Sequence, residues 1–145
     1  MATETFIPVA GTARGKLSMQ RIPTLVGISG HFIGEVFPLE YGKPLTVGRS
    51  RTADFSLRRT LRYKSQDQAA RDADESAKTI SAKHFQITMY NLRSIEIKNL
   101  SPNGTQLDGK PVQTALINDI ATHPHEIKFG TDEIFRLEMR AHEDS

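Results

Sequence analysis

The chain has 145 residues, 37% hydrophobic and 25% charged, with no cysteine and a formal net charge of +2. This is enough chain for one domain with its own core. It excludes disulfides and thiolate metal sites, and the net charge alone does not imply nucleic acid. No apolar run approaches the roughly 18 residues of a membrane-spanning helix. The start, MATETFIPVAGTARGK, lacks a basic segment followed by an apolar block, so no secretory signal is expected and the protein is expected in the cytoplasm.

Residues 1–21 are rich in Ala, Thr, Gly and polar side chains without a sustained period, and are expected to form a mobile N-terminal tail. Residues 22–140 are expected to form the domain, and residues 141–145 a C-terminal tail. Short strand-like runs then follow: TLVGI, GEVFPL, PLTVG, DFSL, HFQITMY, SIEIKNL, TQL, HEIKFG and EIFRLEMR. Several alternate with period two. Phe85, Ile87 and Met89 share one face, Ile95 and Ile97 another, and Phe135, Leu137 and Met139 a third, each opposite polar neighbours. Antiparallel strands with one buried and one wet face read this way. Gly, Pro, Asn and Asp punctuate the gaps, which predicts an all-β, two-sheet antiparallel β-sandwich or a barrel.

One segment breaks the rhythm. Residues 58–78, RRTLRYKSQDQAARDADESAK, hold few β-formers, and only alanines supply an apolar stripe. A helix on such a stripe would be marginal alone. The segment is expected to be a long inserted loop with one or two helical turns. The run from Arg49 to Lys64, which leads into it, is basic: Arg49, Arg51, Arg58, Arg59, Arg62 and Lys64 stand against Asp54. The sign reverses after it, with Asp67, Asp72, Asp74 and Glu75 against Arg71. The pattern fits a solvated loop or an anionic-ligand site.

The stretch NLSPNGTQLDGKP carries two turns. Asp108-Gly109 is placed to close a tight hairpin between TQL and KPV. Asn103-Gly104, stiffened by Pro102, is read as a turn that presents an Asn carboxamide to a ligand. Two other polar groups stand at strand ends: Gly48-Arg49 in TVGRS, and Ser81 with His84 in TISAKHF. Strand ends of a sandwich gather where loops build sites.

Taken in order, Gly-Arg, the DFSL strand, Ser-x-x-His, Asn-Gly-Thr and a downstream IKFG resemble the forkhead-associated (FHA) domain over roughly residues 23–139. The resemblance implies an eleven-stranded FHA/SMAD-like sandwich that binds phosphothreonine peptides through loops at one end, in Ser/Thr-kinase signalling. It implies that Arg49 holds the phosphate, that Ser81 donates a hydroxyl to it, and that Asn103 bonds the peptide backbone. Lys83 and Ser50 join as further contacts, while Gly48, His84 and Gly104 shape the loops. The expected partner is a phosphothreonine-containing protein, a Ser/Thr kinase or its substrate among them, with no cofactor and no catalysis. The chemistry agrees. A phosphothreonine carries about −1.5 to −2 charge and three acceptor oxygens, which a guanidinium fork matches. An amide, which both donates and accepts, suits a peptide backbone.

The chain departs from the family pattern in three places. Ala82 replaces a basic or amide residue, Pro102 stands where Ser or Thr is common, and the 58–78 connection is long. These departures sustain a second reading, a phospho-independent protein-interaction scaffold that uses residues 58–78. Hydrolysis by Ser81 and His84, a metal on His123 and His125, and nucleic-acid binding through residues 58–64 are weaker readings, lacking respectively an acid partner, further ligands and stacking aromatics.

Overall fold

The computed structural model describes residues 18–144. Residues 1–17, most of the expected N-terminal tail, lie outside that range. Eleven strands form two facing sheets. The first sheet is ordered β2-β1-β11-β10-β7-β8, with β1 Ser18–Ser29, β2 Val36–Pro38, β7 Thr105–Leu107, β8 Lys110–Val112, β10 His125–Phe129 and β11 Glu133–Asp144. The second is β4-β3-β5-β6-β9, with β3 Leu45–Gly48, β4 Phe55–Ser56, β5 Phe85–Asn91, β6 Ser94–Asn99 and β9 Thr114–Ile117. The architecture is the expected two-sheet β-sandwich. One pair departs from antiparallel order: β4 runs parallel to β3, with Val47 opposite Phe55 and Gly48 opposite Ser56.

The period-two residues face inward. Phe85, Ile87 and Met89 of β5, Ile95 and Ile97 of β6, and Phe135 and Leu137 of β11 are all buried. Phe32, Phe129 and Phe135 cluster between the sheets with ring centroids 5.1–5.9 Å apart. Burying such side chains contributes roughly 1.5–3 kcal/mol each. The Asp108-Gly109 turn closes the β7–β8 hairpin as expected, with φ of 50° and 84° at the two residues.

Both expected tail boundaries move outward. β1 begins at Ser18 and β11 ends at Asp144, because the two strands pair without a break from Ser18 opposite Asp144 to Gly27 opposite Phe135. Residues 18–21 and 141–144 are therefore strand, held by ladder hydrogen bonds rather than by an apolar pattern.

The expected insert at 58–78 carries more helix than the one or two turns expected: a 3₁₀ turn at Leu57–Arg59, then α1 Leu61–Ser65, α2 Gln68–Ala73 and α3 Glu75–Lys78. Helices this short do not stand alone in water. Their first turns are capped by Thr60, Asp67 and Asp74, whose side chains accept from the backbone N–H of Tyr63, Ala70 and Ala77. Leu57 and Ile80, at the two ends of the insert, are buried in the core, and Tyr63 and Ala77 pack against it. Arg59 is exposed but not free. Its guanidinium donates to the carbonyls of Arg51, Ala53 and Asp54 at 2.9, 2.6 and 2.6 Å and laces the β3–β4 loop.

The insert is also fixed by charge. His31, 1% exposed, donates through Nε2 to Asp74 at 2.6 Å and through Nδ1 to Glu133 at 2.9 Å, and Glu133 is itself 1% exposed. Burial opposes charge on His31, but the hydrogen bonds and charges of Glu133 and Asp74 outweigh it and raise the His31 pKa. Asp74 is also opposed by burial, yet its bonds to His31, Ser76, Gln66 and the Ala77 N–H hold its carboxyl well below the usual range. Among the described residues, no helix is long and apolar enough to cross a membrane.

Candidate functional site

Strand register brings five loops to one end of the sandwich. Val47 of β3 lies opposite Phe85 of β5, Phe85 opposite Asn99 of β6, and Phe129 of β10 opposite both Thr105 of β7 and Glu133 of β11. The segments after Gly48, before Phe85, after Asn99 and after Phe129 therefore share this end, as does the 29–33 connection after β1.

A continuous set of hydrogen bonds ties these loops together. The Arg49 N–H donates to the Ser81 carbonyl at 2.9 Å, and the Ser50 N–H to the Ala82 carbonyl at 3.0 Å. The hydroxyls of Ser81 and Ser101 are 2.6 Å apart, and the Asn103 N–H donates to the Ser101 hydroxyl at 3.0 Å. The Asn103 carboxamide N–H donates to the Thr79 carbonyl at 2.9 Å, while the Thr79 hydroxyl accepts from the Thr131 N–H at 2.9 Å. Arg49, Ser81 and Asn103, far apart in sequence, meet at one rim.

Gly48 and Gly104 have separable reasons. A Cβ at Gly48 would fall 2.2 Å from the Ala82 carbonyl oxygen and 2.8 Å from Lys83 Cα, so β3 approaches the 81–83 turn only because no side chain intervenes. Gly48→Ala is expected to force the two backbones apart and cost about 1–3 kcal/mol, as overpacking does. Urea denaturation reads that loss. Gly104 has open space around it, but its φ of +86° ends the Ser101–Gly104 turn in a conformation that favours glycine.

His84 is a brace. Its Nδ1 accepts from the Ser81 backbone N–H at 3.0 Å and its Nε2–H donates to the Gly104 carbonyl at 2.7 Å, joining the two sheets at the site. Burial keeps it neutral and lowers its pKa, against the opposing pull of the Gly104 carbonyl. The Ser81 hydroxyl bonds Ser101 and not the imidazole, so the two are not arranged as nucleophile and base. His125 is likewise engaged, Nδ1 with Asp108 at 2.5 Å and Nε2 with Asp119 at 2.6 Å.

Electrostatically the rim is basic. A concavity of about 480 Å³ is lined by Arg49, Ser50, Arg51, Thr52, Arg58 and Ala82. Among the described residues, Arg49, Arg51 and Arg58 form no ion pair. The Ser50 hydroxyl bonds the Thr52 hydroxyl at 2.8 Å within its turn, and Lys83 is exposed beside it. Sequence reasoning missed Ser101 and Thr79, and it gave Arg58 only as one member of the basic run. Ser101 and Thr79 lie inside the quoted motifs, but their role is to hold neighbours, which only the folded geometry reveals.

Residues 45–130 match the family model described as FHA domain, well over half of the chain. The chain belongs to the FHA domain family. Solved FHA domains share its fold. The FHA domain of the CT664 protein from Chlamydia trachomatis is 26% identical, with a TM-score of 0.58 over 82% of this chain and 97% of that one. The N-terminal FHA domain of S. cerevisiae Rad53p, solved in complex with a phosphothreonine peptide, is 18% identical, with a TM-score of 0.56 over 82% and 94%. The FhaA FHA domain, solved with the intracellular domain of Rv3910, is 23% identical, with a TM-score of 0.53 over 79% and 98%. No curated protein matches the chain at a significant level. Within this FHA domain, the helical insert between β4 and β5 falls inside the matched span and borders the rim.

Proposed function

We propose that this FHA domain recognises phosphothreonine segments of partner proteins and thereby recruits them downstream of a Ser/Thr kinase. The observation that carries the reading is the hydrogen-bonded rim joining Arg49, Ser81 and Asn103, with an Arg49 guanidinium that no carboxylate among the described residues occupies. Arg49 takes the phosphate through its fork of donors, and the Ser81 hydroxyl donates to a phosphate oxygen. One Asn103 amide hydrogen is spent on Thr79, so the carboxamide is held in place while its oxygen and second N–H remain for peptide backbone. Holding it in advance reduces the ordering that binding costs. Ser50 and Lys83 supply further donors at the edge. The Rad53p domain, solved with a phosphothreonine peptide, supports the assignment by family.

The phospho-independent scaffold is favoured by one observation. Ile33 and Leu61 are 59% and 76% exposed, and the Leu61 N–H bonds Glu35, which links the insert to the 30–35 connection. A matched peptide pair separates the readings. The phosphothreonine form is expected to bind with micromolar affinity, roughly 8 kcal/mol, and the threonine form not measurably. Equal binding of both by calorimetry would establish the scaffold instead.

A further inference from the structure

The helical insert builds a second cleft beside the rim, of about 520 Å³, between α1–α3 and the end of β3. Four cations line it: Arg49, Arg58, Arg71 and Lys78. Arg49 and Arg58 also line the first concavity, so they form the ridge between the two. We propose that this cleft is a second anion site, which takes a phosphate or carboxylate carried by the peptide chain flanking the phosphothreonine. It rests on the phosphothreonine reading of the first concavity.

Three features make the cleft an anion receptor rather than a balanced surface. First, Arg71 is pre-positioned. Its Nε and one terminal nitrogen donate to the Tyr63 carbonyl at 3.2 and 3.1 Å, and its guanidinium lies 4.2 Å from the Tyr63 ring centroid. The remaining guanidinium hydrogens are left for a ligand, and a stacked, fixed guanidinium loses little freedom on binding. Second, the acids in the wall are engaged. Asp74 gives one oxygen to His31 and Gln66 and the other to Ser76 and the Ala77 N–H. Asp72 accepts from the Gln68 amide at 2.8 Å and is the one carboxylate that opposes an incoming anion. Third, among the described residues Lys78 pairs only with exposed Glu75, a contact weak enough to be exchanged for a ligand. With Asp74 bonded to His31 behind it, cations prevail in the wall. A peptide crossing the ridge with its phosphothreonine on one side puts a neighbouring side chain into this cleft.

The test titrates the full chain, by calorimetry at about 0.15 M salt, where exposed charges are screened. One peptide carries a single phosphothreonine in a neutral flank. Others add phosphoserine, or glutamate, at each of the flanking positions in turn. The expected result is a gain of about tenfold, equivalent to about 1.4 kcal/mol, at one flank position for the wild type. That gain disappears in the Arg71→Gln/Lys78→Gln variant, while affinity for the neutral-flank peptide stays within about twofold. Lys78→Glu, at an exposed side chain, reproduces the loss should the double variant unfold. A gain from phosphoserine alone assigns a phosphate ligand, and a gain from both assigns acidic residues generally. No gain at any position, or a gain that persists in the variants, overturns the proposal. Binding of the doubly charged peptide through Arg71 and Lys78, without binding of the neutral-flank peptide, overturns the phosphothreonine reading and keeps the cleft. Failure of both peptides overturns both.

Discussion

Arg49→Ala is expected to remove about 2–5 kcal/mol of the roughly 8 kcal/mol that micromolar phosphopeptide binding represents. The size follows from truncating one partner of a charge pair that binding desolvates. The folded state should hardly notice. What anchors residue 49 to the 81–83 turn is its backbone N–H on the Ser81 carbonyl, and that bond survives the substitution. The side chain makes no ion pair among the described residues, so its loss should change unfolding free energy by no more than about 0.5 kcal/mol. Calorimetric titration and urea denaturation of the same preparation measure both quantities. A variant that binds normally would remove Arg49 from the phosphate site, and one that unfolds would make its role structural.

His31→Leu carries the largest expected loss of stability. It leaves Glu133 and Asp74 facing a buried apolar side chain. Breaking a buried ion pair costs about 3–5 kcal/mol, and the lower end is expected here. Glu133 would keep the N–H of residue 31, and Asp74 its bonds to Ser76 and Ala77. The pH dependence identifies the cause. His31 has a raised folded pKa, so its contribution is fully present below the unfolded value of 6.5 and is lost as pH rises through the folded value. Asp74 is depressed in the fold, so its contribution is present above 3.8 and is lost as pH falls below that. The difference in stability between wild type and variant should therefore be greatest between these two values and shrink on the alkaline side. His84 runs the other way, since its lowered pKa gives stability above 6.5 that is lost on acidification, but it is common to both proteins and cancels in the difference. Hydrogen exchange should show residues 61–78 opening first in the variant. A flat difference across pH would mean that His31 acts through its shape alone.

Where the sequence carried a local signal, it was legible. β5, β6 and β11 alternate cleanly, and their inward residues are the buried ones. Asp108-Gly109 carried its own turn chemistry. β9 was invisible because only Ile117 of its four residues is buried while Leu116 is 61% exposed, so its pairing with β6 and not its own pattern makes it a strand. The insert itself was legible, but its helical content exceeds the expected one or two turns for a related reason. Its alanine stripe is too weak to predict helix, and the stabilising contacts come from His31, whose partners lie 43 and 102 residues away. At the rim, Gly48-Arg49, Ser81-x-x-His84 and Asn103-Gly104 stood out as ordered motifs. That the Asn103 amide is held by Thr79 did not, since it depends on how the insert returns the chain to the sandwich.

The long β1–β11 ladder has a practical consequence. It begins with Ser29 opposite Ile134 beside the rim and finishes with Ser18 opposite Asp144. Eleven strand steps of about 3.3 Å put that far edge roughly 35 Å from the loops. The paired strand ends at Ser18 and Asp144 thus lie at the opposite pole, so chain joined directly to either one enters the domain away from the rim.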